Sequence, residues 1–156
     1  MPKLDKVHTV QHQAKDMFEL VCDVEKYPQF VPLVASLVVK SKKEKADKTL
    51  MLADMTMAYK MLSETFTTQV LIDPQNLKID VKYIDGPFKH LDNHWRFTDL
   101  PDGSCEIGFM VDYELKNKML ALAAGAVFEM AFSRFVDAFE NRANEIYGHI
   151  ELAGAK

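Results

Sequence analysis

Residues 105–148 read CEIGFMVDYELKNKMLALAAGAVFEMAFSRFVDAFENRANEIYG, and the spacing of their hydrophobic side chains changes partway along. Up to Tyr113 apolar and polar residues alternate, which is typical of a β-strand with one buried face. Beyond it an apolar stripe at helical spacing runs from Leu120 to Ile146 without a proline. We therefore predict a strand followed by one long helix that ends near Gly148.

Upstream of this stretch the same alternation recurs between turn signals. A short strand containing Val7 and Val10 and an amphipathic helix over 14–23 come first. The alternating segments that follow are 33–43, 49–61, 66–72, 77–83 and 91–98. The order is β-α-(β)6-α, which predicts an α+β fold in which one antiparallel sheet packs against the C-terminal helix.

Composition limits the class of protein. The chain has 156 residues, 48% hydrophobic and 27% charged, which predicts a single domain over 1–156 with a structured core over 3–148. The formal net charge is −4, so binding to DNA is not expected. One lysine-rich run includes Lys40, Lys42, Lys43, Lys45 and Lys48, and we interpret it as a solvated hairpin.

The N-terminal residues and the cysteine count indicate the compartment. The chain begins with neither a secretory h-region nor an Arg-rich leader, and it has two cysteines. A disulfide framework is therefore not expected, and the cytoplasm is the expected location. The longest apolar run, residues 119–128, is too short for a membrane span, which needs about 20 residues.

Few titratable groups fall on the predicted inner face of the sheet. The polar residues there are Thr68, Asn93, Tyr59, Tyr83 and Tyr113. Hydroxyl and amide groups orient a ligand but do not supply acid–base catalysis, so we predict no catalytic residue and no enzyme activity. The pairs His8/His12 and His90/His94 lie in segments predicted as extended, so we interpret them as surface or loop histidines and predict no metal site.

Nine methionines and ten phenylalanines suggest an apolar interior that is not fully self-packed. A cavity between sheet and helix would have an ordinary volume of about 300 to 1,000 Å³. The strand registers and the helical stripe predict that it is lined by Met55, Met57, Phe66, Val70, Val81, Tyr83, Trp95, Phe97, Phe109, Val111, Phe128, Phe132 and Phe135.

Four sequence blocks in this order resemble the coenzyme Q-binding START-domain family of the polyketide cyclase superfamily. They are VEKYPQFVP (24–32), GPFKHL (86–91), WRF (95–97) and FENRA (139–143). The resemblance implies a helix-grip fold, a curved antiparallel sheet on a long C-terminal helix, with ubiquinone or a similar prenylated lipid bound as a ligand and no separate cofactor. It implies binding in support of respiratory electron transport, without chemical turnover.

Two alternatives remain open at this stage. The same family includes bacterial ribosome-association toxins, so a ribosome-directed translation inhibitor is the first, and it would require a cationic outer surface. A polyketide aromatase or cyclase is the second, and it would require an acid or base that points inward.

The first half of the predicted helix, residues 119–132, is apolar over a wider arc than one sheet face needs. Either the segment with Tyr27, Pro28, Phe30 and Pro32 covers this surplus, or the two together form the cavity mouth. The second interpretation makes those four residues ligand contacts and predicts peripheral contact with a membrane, which for a bacterial form would be the inner membrane.

Overall fold

The computed structural model describes residues 3–148, and it confirms the predicted helix-grip architecture. The elements are β1 (Lys3–Val10), α1 (Ala14–Cys22), a 3₁₀ helix (Val24–Gln29), β2 (Val34–Lys45), β3 (Lys48–Tyr59), β4 (Leu62–Asp73), β5 (Lys78–Asp85), β6 (Phe88–Asp99), β7 (Cys105–Leu115), α2 (Lys118–Ser133) and α3 (Phe135–Tyr147).

The seven strands form one antiparallel sheet in the order β1-β7-β6-β5-β4-β3-β2. Strands β2 to β7 pair with their neighbours along the chain, whereas β1 pairs with β7 and makes the other edge. The predicted faces are confirmed, since in β7 all five residues from Cys105 to Tyr113 on one face are buried. Alternation places every second side chain on the face that α1 and α3 cover.

The core is centred on Phe139 of α3, which has no exposed surface. Its ring contacts three others edge to face, with centroid distances of 5.1 Å to Tyr27, 5.1 Å to Phe30 and 5.4 Å to Trp95. These contacts join the 3₁₀ helix, the last helix and the middle of the sheet. The segment around Tyr27 therefore packs against α3, and the expectation that it covers the surplus apolar surface of residues 119–132 was wrong.

The prediction of one continuous C-terminal helix was also wrong. The helix breaks at Arg134, and α2 and α3 meet at a bend of 41°. Two contacts compete with the helical hydrogen-bond ladder here: the Ser133 hydroxyl donates to the Met130 carbonyl (2.8 Å), and Lys6 Nζ donates to the Ser133 carbonyl (3.2 Å). Such local side-chain bonds to the backbone are a recognised cause of bends.

Three further positions differ from their predicted environment. Ile146 was placed on the buried stripe but is 51% exposed, and Ala143 is buried instead. Tyr59 was placed on the inner face but is partly exposed at a hairpin tip. His12 was interpreted as a surface or loop residue; it lies in the loop between β1 and α1 but is buried, and its Nε2 lies 2.7 Å from Asn144 Oδ1.

Within residues 3–148 no single helix is both long enough and apolar enough to cross a membrane. The bent pair α2–α3 has the required length and hydropathy only when its two helices are taken together.

Candidate ligand-binding cavity

An enclosed apolar cavity of about 60 Å³ lies between the inner face of the sheet and the helices. Every element except β1 contributes to its wall. The lining residues are Val21, Val24, Tyr27, Leu37, Ala53, Met55, Phe66, Thr68, Val70, Ile79, Val81, Leu91, Asn93, Trp95, Phe109, Val111, Phe132 and Phe135.

Asn93 and Trp95 form the polar centre of this wall. Adjacent inward positions of β6 bring them together, and the indole Nε1 of Trp95 donates to Asn93 Oδ1 at 3.2 Å. Asn93 Nδ2 donates in turn to the Met110 carbonyl at 2.8 Å. An amide nitrogen carries two hydrogens, so Asn93 keeps one N–H for a further partner. The Thr68 hydroxyl of β4 is the other small polar group of the lining.

One end of the cavity is closed by a cluster of aromatic rings around Phe88, the first residue of β6. Phe88 is 1% exposed and contacts four rings. Its centroid distances are 5.2 Å to Phe66, 5.6 Å to Tyr83, 5.8 Å to Tyr113 and 5.0 Å to Phe128. The Tyr83 hydroxyl also accepts a hydrogen bond from the Phe88 backbone N–H (3.0 Å), which fixes this ring in place.

Ten of the seventeen residues predicted as ligand contacts line the cavity. They are Tyr27, Met55, Phe66, Val70, Val81, Trp95, Phe109, Val111, Phe132 and Phe135. Four others, Met57, Tyr83, Phe97 and Phe128, belong to the surrounding core or to its closed end. Whether the ten bind a ligand stays a prediction.

The remaining three predicted contacts lie away from the cavity. Pro28 is within the 3₁₀ helix, and Phe30 and Pro32 line a separate surface groove beside α3. Phe30 is held there because its ring contacts Phe139 edge to face and its centroid lies 5.2 Å from the Arg142 guanidinium. The expectation that these three residues contact the ligand at a cavity mouth is not supported by their positions.

Sequence reasoning missed part of the lining. Val21 and Val24 come from α1 and the 3₁₀ helix, which have no strand register to indicate their direction. Ala53, Ile79 and Leu91 share strand faces with residues that were named, so the alternation contained the signal for them. Leu37 lies on β2, where no contact was named, and it pairs with Met55 of β3. Thr68 and Asn93 had been placed on the inner face and do line the cavity.

The cavity is smaller than the expected 300 to 1,000 Å³. A volume near 60 Å³ is less than half that of an engineered cavity that takes up benzene, which has about 150 Å³. The difference arises because the rings of Phe109, Phe132 and Phe135 fill the space between sheet and helix. A ring-sized ligand therefore requires the wall to move.

The lining offers little acid–base chemistry. Among residues 3–148 it includes no carboxylate, histidine, lysine, arginine or cysteine. Tyr27 is its one titratable group, and burial raises the pKa of its hydroxyl well above the usual value. That hydroxyl donates to the Val21 carbonyl. A neutral, hydrogen-bonded phenol positions the 3₁₀ helix but is a poor general base.

Outside the cavity, β1 brings one titratable residue against the end of α2 and another against α3. Lys6 reaches Ser133, and His8 Nε2 lies 2.9 Å from Glu140 Oε1. His8, Glu140 and the exposed Asp137 have donor atoms within 4.8 Å of one another, a spacing that could hold a metal ion. The hydrogen bond between His8 and Glu140 holds two of these three groups together.

A curved antiparallel sheet, a broken C-terminal helix and an enclosed apolar cavity between them define a helix-grip ligand-binding domain of the START type. Residues 10–140 match the profile of the polyketide cyclase/dehydrase and lipid transport family. The chain belongs to this family.

Curated relatives include proteins with two different names. The ribosome association toxin RatA of Escherichia coli K12 is 36% identical over 148 residues, which cover 94% of this chain and 90% of the relative. The mitochondrial coenzyme Q-binding protein COQ10 of Drosophila melanogaster is 30% identical over 138 residues, 86% of this chain and 55% of the relative.

Solved structures share the fold. An 18 kDa protein from Caulobacter crescentus, 28% identical, superposes with a TM-score of 0.78 and covers 95% of this chain and 99% of its own. The Zhui aromatase/cyclase of Streptomyces sp. R1128 is 16% identical with a TM-score of 0.76, and the match covers 96% of this chain and 99% of the cyclase. At that identity the second likeness concerns the fold alone.

Proposed function

We propose that this protein binds the ring of ubiquinone, or of a similar prenylated quinone, in the cavity between sheet and helices and releases it unchanged. The observation that carries the proposal is the lining itself: an apolar wall with an aromatic ring at Trp95 and polar groups at Asn93 and Thr68, in which the described residues include no carboxylate, histidine, lysine, arginine or cysteine. Apolar pockets with a few placed polar groups are typical of small-molecule sites.

The polar groups suit a quinone. A quinone carbonyl accepts hydrogen bonds and donates none. The free N–H of Asn93 and the Thr68 hydroxyl are donors that face the same cavity, so each can bind a ring oxygen. The flat faces of Trp95 and Phe109 supply stacking surface, with their own centroids 4.5 Å apart.

Binding requires the wall to open. Phe132 at the end of α2 and Phe135 at the start of α3 both line the cavity, and the bend at Arg134 lies between them. A rotation of α2 about this bend would withdraw Phe132 and enlarge the cavity toward the volume of a ring. A long prenyl tail exceeds even an ordinary cavity, so part of it stays outside.

The coenzyme Q-binding name of the Drosophila relative supports the choice of ligand, although this chain spans about half of that protein. The absence of an acid or base from the described lining favours binding over cyclase chemistry, because cyclisation needs proton transfer. In this proposal ubiquinone is a bound ligand and not a cofactor. The role that follows for the protein is support of respiratory electron transport.

The test is a fluorescence titration. Trp95 is the single tryptophan of the chain and is 3% exposed in the cavity wall, so its emission reports on the site. Short-chain ubiquinone should quench it with saturation, and the ligand should be recovered unmodified by mass spectrometry. Linear quenching without saturation, together with no thermal stabilisation by the quinone, would refute the proposal.

A second candidate, association with the ribosome, is favoured by a different observation. Strand β2 lies at the sheet edge with Lys42, Lys43 and Lys45 exposed, and none of the three forms an ion pair with a described residue. The RatA name of the Escherichia coli relative points to the same activity.

This candidate predicts cosedimentation with purified ribosomal subunits that weakens steeply with salt, because RNA phosphates bind lysines by counterion release. The pair Lys42→Glu with Lys43→Glu should abolish it. Lys15→Glu with Lys26→Glu, exposed lysines of α1 and the 3₁₀ helix, is the matched control. Cosedimentation that survives the first pair would exclude the β2 edge as the contact.

A further inference from the structure

The exposed face of α2 is apolar. Met119 is 80% exposed and Leu122 is 89% exposed, and the small residues Ala121, Ala123 and Ala126 are exposed around them. A helix that is apolar on all sides is ordinarily buried on all sides. Here Ala124, Phe128, Ala131 and Phe132 are buried while the opposite face is open to solvent.

The same end of the sheet carries more exposed apolar residues. In an up-and-down sheet alternate connections lie at the same end, so the β3–β4, β5–β6 and β7–α2 connections are neighbours. Met61 at the β3–β4 turn is fully exposed, and Ile84 near the end of β5 is 50% exposed. Five of the nine large apolar residues that are most exposed among the described residues, Tyr59, Met61, Ile84, Met119 and Leu122, lie here.

The β3–β4 hairpin also projects from the sheet. Strand β4 begins at Leu62, but its first residue paired with β5 is Thr67, opposite Asp85. Five residues at about 3.3 Å each place the tip about 16 Å beyond that pair. We define the α2 end as this hairpin tip together with the exposed face of Met119–Ala126.

Positive charge accompanies the α2 end. Of the three connections, Lys60-Met61, Gly86-Pro87 and Lys116-Asn117, two carry a lysine and none carries an acid. Lys118 begins α2, and Lys89 lies with Lys116 and Lys118 along one groove. The acids of this region are Glu64 in the β3–β4 hairpin, Asp85 on β5, Glu114 on β7 and Glu129 in the later turns of α2. Glu114 and Glu129 line the same groove as the three lysines, so the lysines exceed the acids there by one.

We propose that the α2 end docks on the surface of an anionic lipid bilayer. Met119, Leu122 and Met61 enter the boundary between headgroups and acyl chains, and Lys60, Lys116 and Lys118 bind the phosphates around them. Apolar side chains ringed by lysines are the usual composition of an interfacial lipid contact. The surface is independent of what the cavity binds.

The charges favour a bilayer over a second copy of this chain. A twofold interface brings the same patch of each subunit together, so Lys116 and Lys118 of both copies would be buried in one contact. Like charges at a desolvated contact are unfavourable. An anionic surface neutralises them instead.

The experiment is flotation of the full chain with vesicles of phosphatidylcholine, alone or mixed with phosphatidylglycerol. The protein should float with the mixed vesicles at low salt and be released at high salt. Met119→Asp with Leu122→Asp should abolish flotation. Lys116→Glu with Lys118→Glu should weaken it at least about 25-fold, since each lysine near an anionic surface strengthens binding about fivefold.

Controls separate the outcomes. Val7→Asp and Val38→Asp, at apolar positions of β1 and β2 that are 66% and 55% exposed, should float like the wild type. Met61→Asp tests the same surface if the α2 pair fails to fold by circular dichroism. Flotation that is absent from the wild type, kept by the α2 and Met61 variants, or lost equally in the controls overturns the proposal. The proposal is also overturned if the wild type sediments as a dimer and the variant with Met119→Asp and Leu122→Asp sediments as a monomer. Quenching of Trp95 by quinone is measured without vesicles. The proposal of quinone binding and the proposal of membrane docking can therefore fail independently.

Discussion

Trp95 donates its indole N–H to the side-chain oxygen of Asn93 at 3.2 Å, and both residues line the cavity. Asn93→Leu removes this acceptor and also the donor to the Met110 carbonyl, so two part-buried hydrogen bonds are lost. We expect a loss of about 1 to 3 kcal/mol in the free energy of unfolding, and weaker quinone binding. Urea denaturation and Trp95 emission measure these. Asn141→Leu, on the exposed side of α3, is the control and should leave both unchanged.

Phe132 narrows the cavity, so its removal should have two opposite effects. Phe132→Ala should lower the free energy of unfolding by about 3 to 5 kcal/mol, yet strengthen binding of a tail-less ubiquinone ring because the space is already open. Phe139→Ala should lower the free energy of unfolding by a similar amount without strengthening binding of the ring, since Phe139 is buried outside the cavity lining. Thermal shifts with and without the ligand distinguish the two, and equal shifts would contradict the role given to Phe132.

Gly86 occupies a position that only glycine fits. Its φ is +146°, and an added Cβ would lie 2.5 Å from the Cβ of Phe66 and 2.9 Å from its Cα. Gly86→Ala should therefore destabilise the protein by about 2 to 5 kcal/mol through backbone strain and overpacking. Gly125→Ala in α2 meets no atom within 4 Å and should stabilise it by about 0.5 to 1 kcal/mol. Chemical denaturation of both variants would reveal the opposite signs.

The free energy of unfolding should fall as the pH rises from 9 toward 12. Burial raises the pKa of Cys22 and Cys105 from 9.0 to about 12, and that of Tyr113 from 10.0 to about 12. The unfolded chain thus loses these protons first, so stability is fully present below pH 9 and falls as pH rises toward 12. Urea midpoints measured across this range, with Ellman's reagent reporting thiol access, test it. Fast thiol labelling of the folded protein at neutral pH would contradict the burial.

Strand faces could be predicted from the sequence because a period of two leaves no ambiguity once one face is apolar. Phe109 and Val111 line the cavity as that pattern requires. The break at Arg134 could not be predicted, since no proline or glycine marks it. One of its causes is the contact between Lys6 and Ser133, which are 127 residues apart along the chain. The burial of His12 could not be predicted for the same reason, because its hydrogen-bond partner Asn144 is 132 residues away along the chain.

The volume of the cavity was also beyond sequence reasoning. Composition reports how many large rings the core contains but not the angles at which they meet. The tilt between Phe109 and Phe135 and the edge contact of Phe132 with Phe135 decide how much space remains. These depend on rotamers that residue spacing does not specify.

The lysines of β2 have a consequence for aggregation. This strand is twelve residues long and forms the open edge of the sheet, so its unpaired backbone groups are a template for a strand of another molecule. Lys42, Lys43 and Lys45 repel such a partner as long as they are charged and free. A polyanion bound there would neutralise them and cover the edge at the same time, whereas acetylation would neutralise them and leave the edge bare. Acetylated protein should therefore form fibres at concentrations where the unmodified chain stays monomeric.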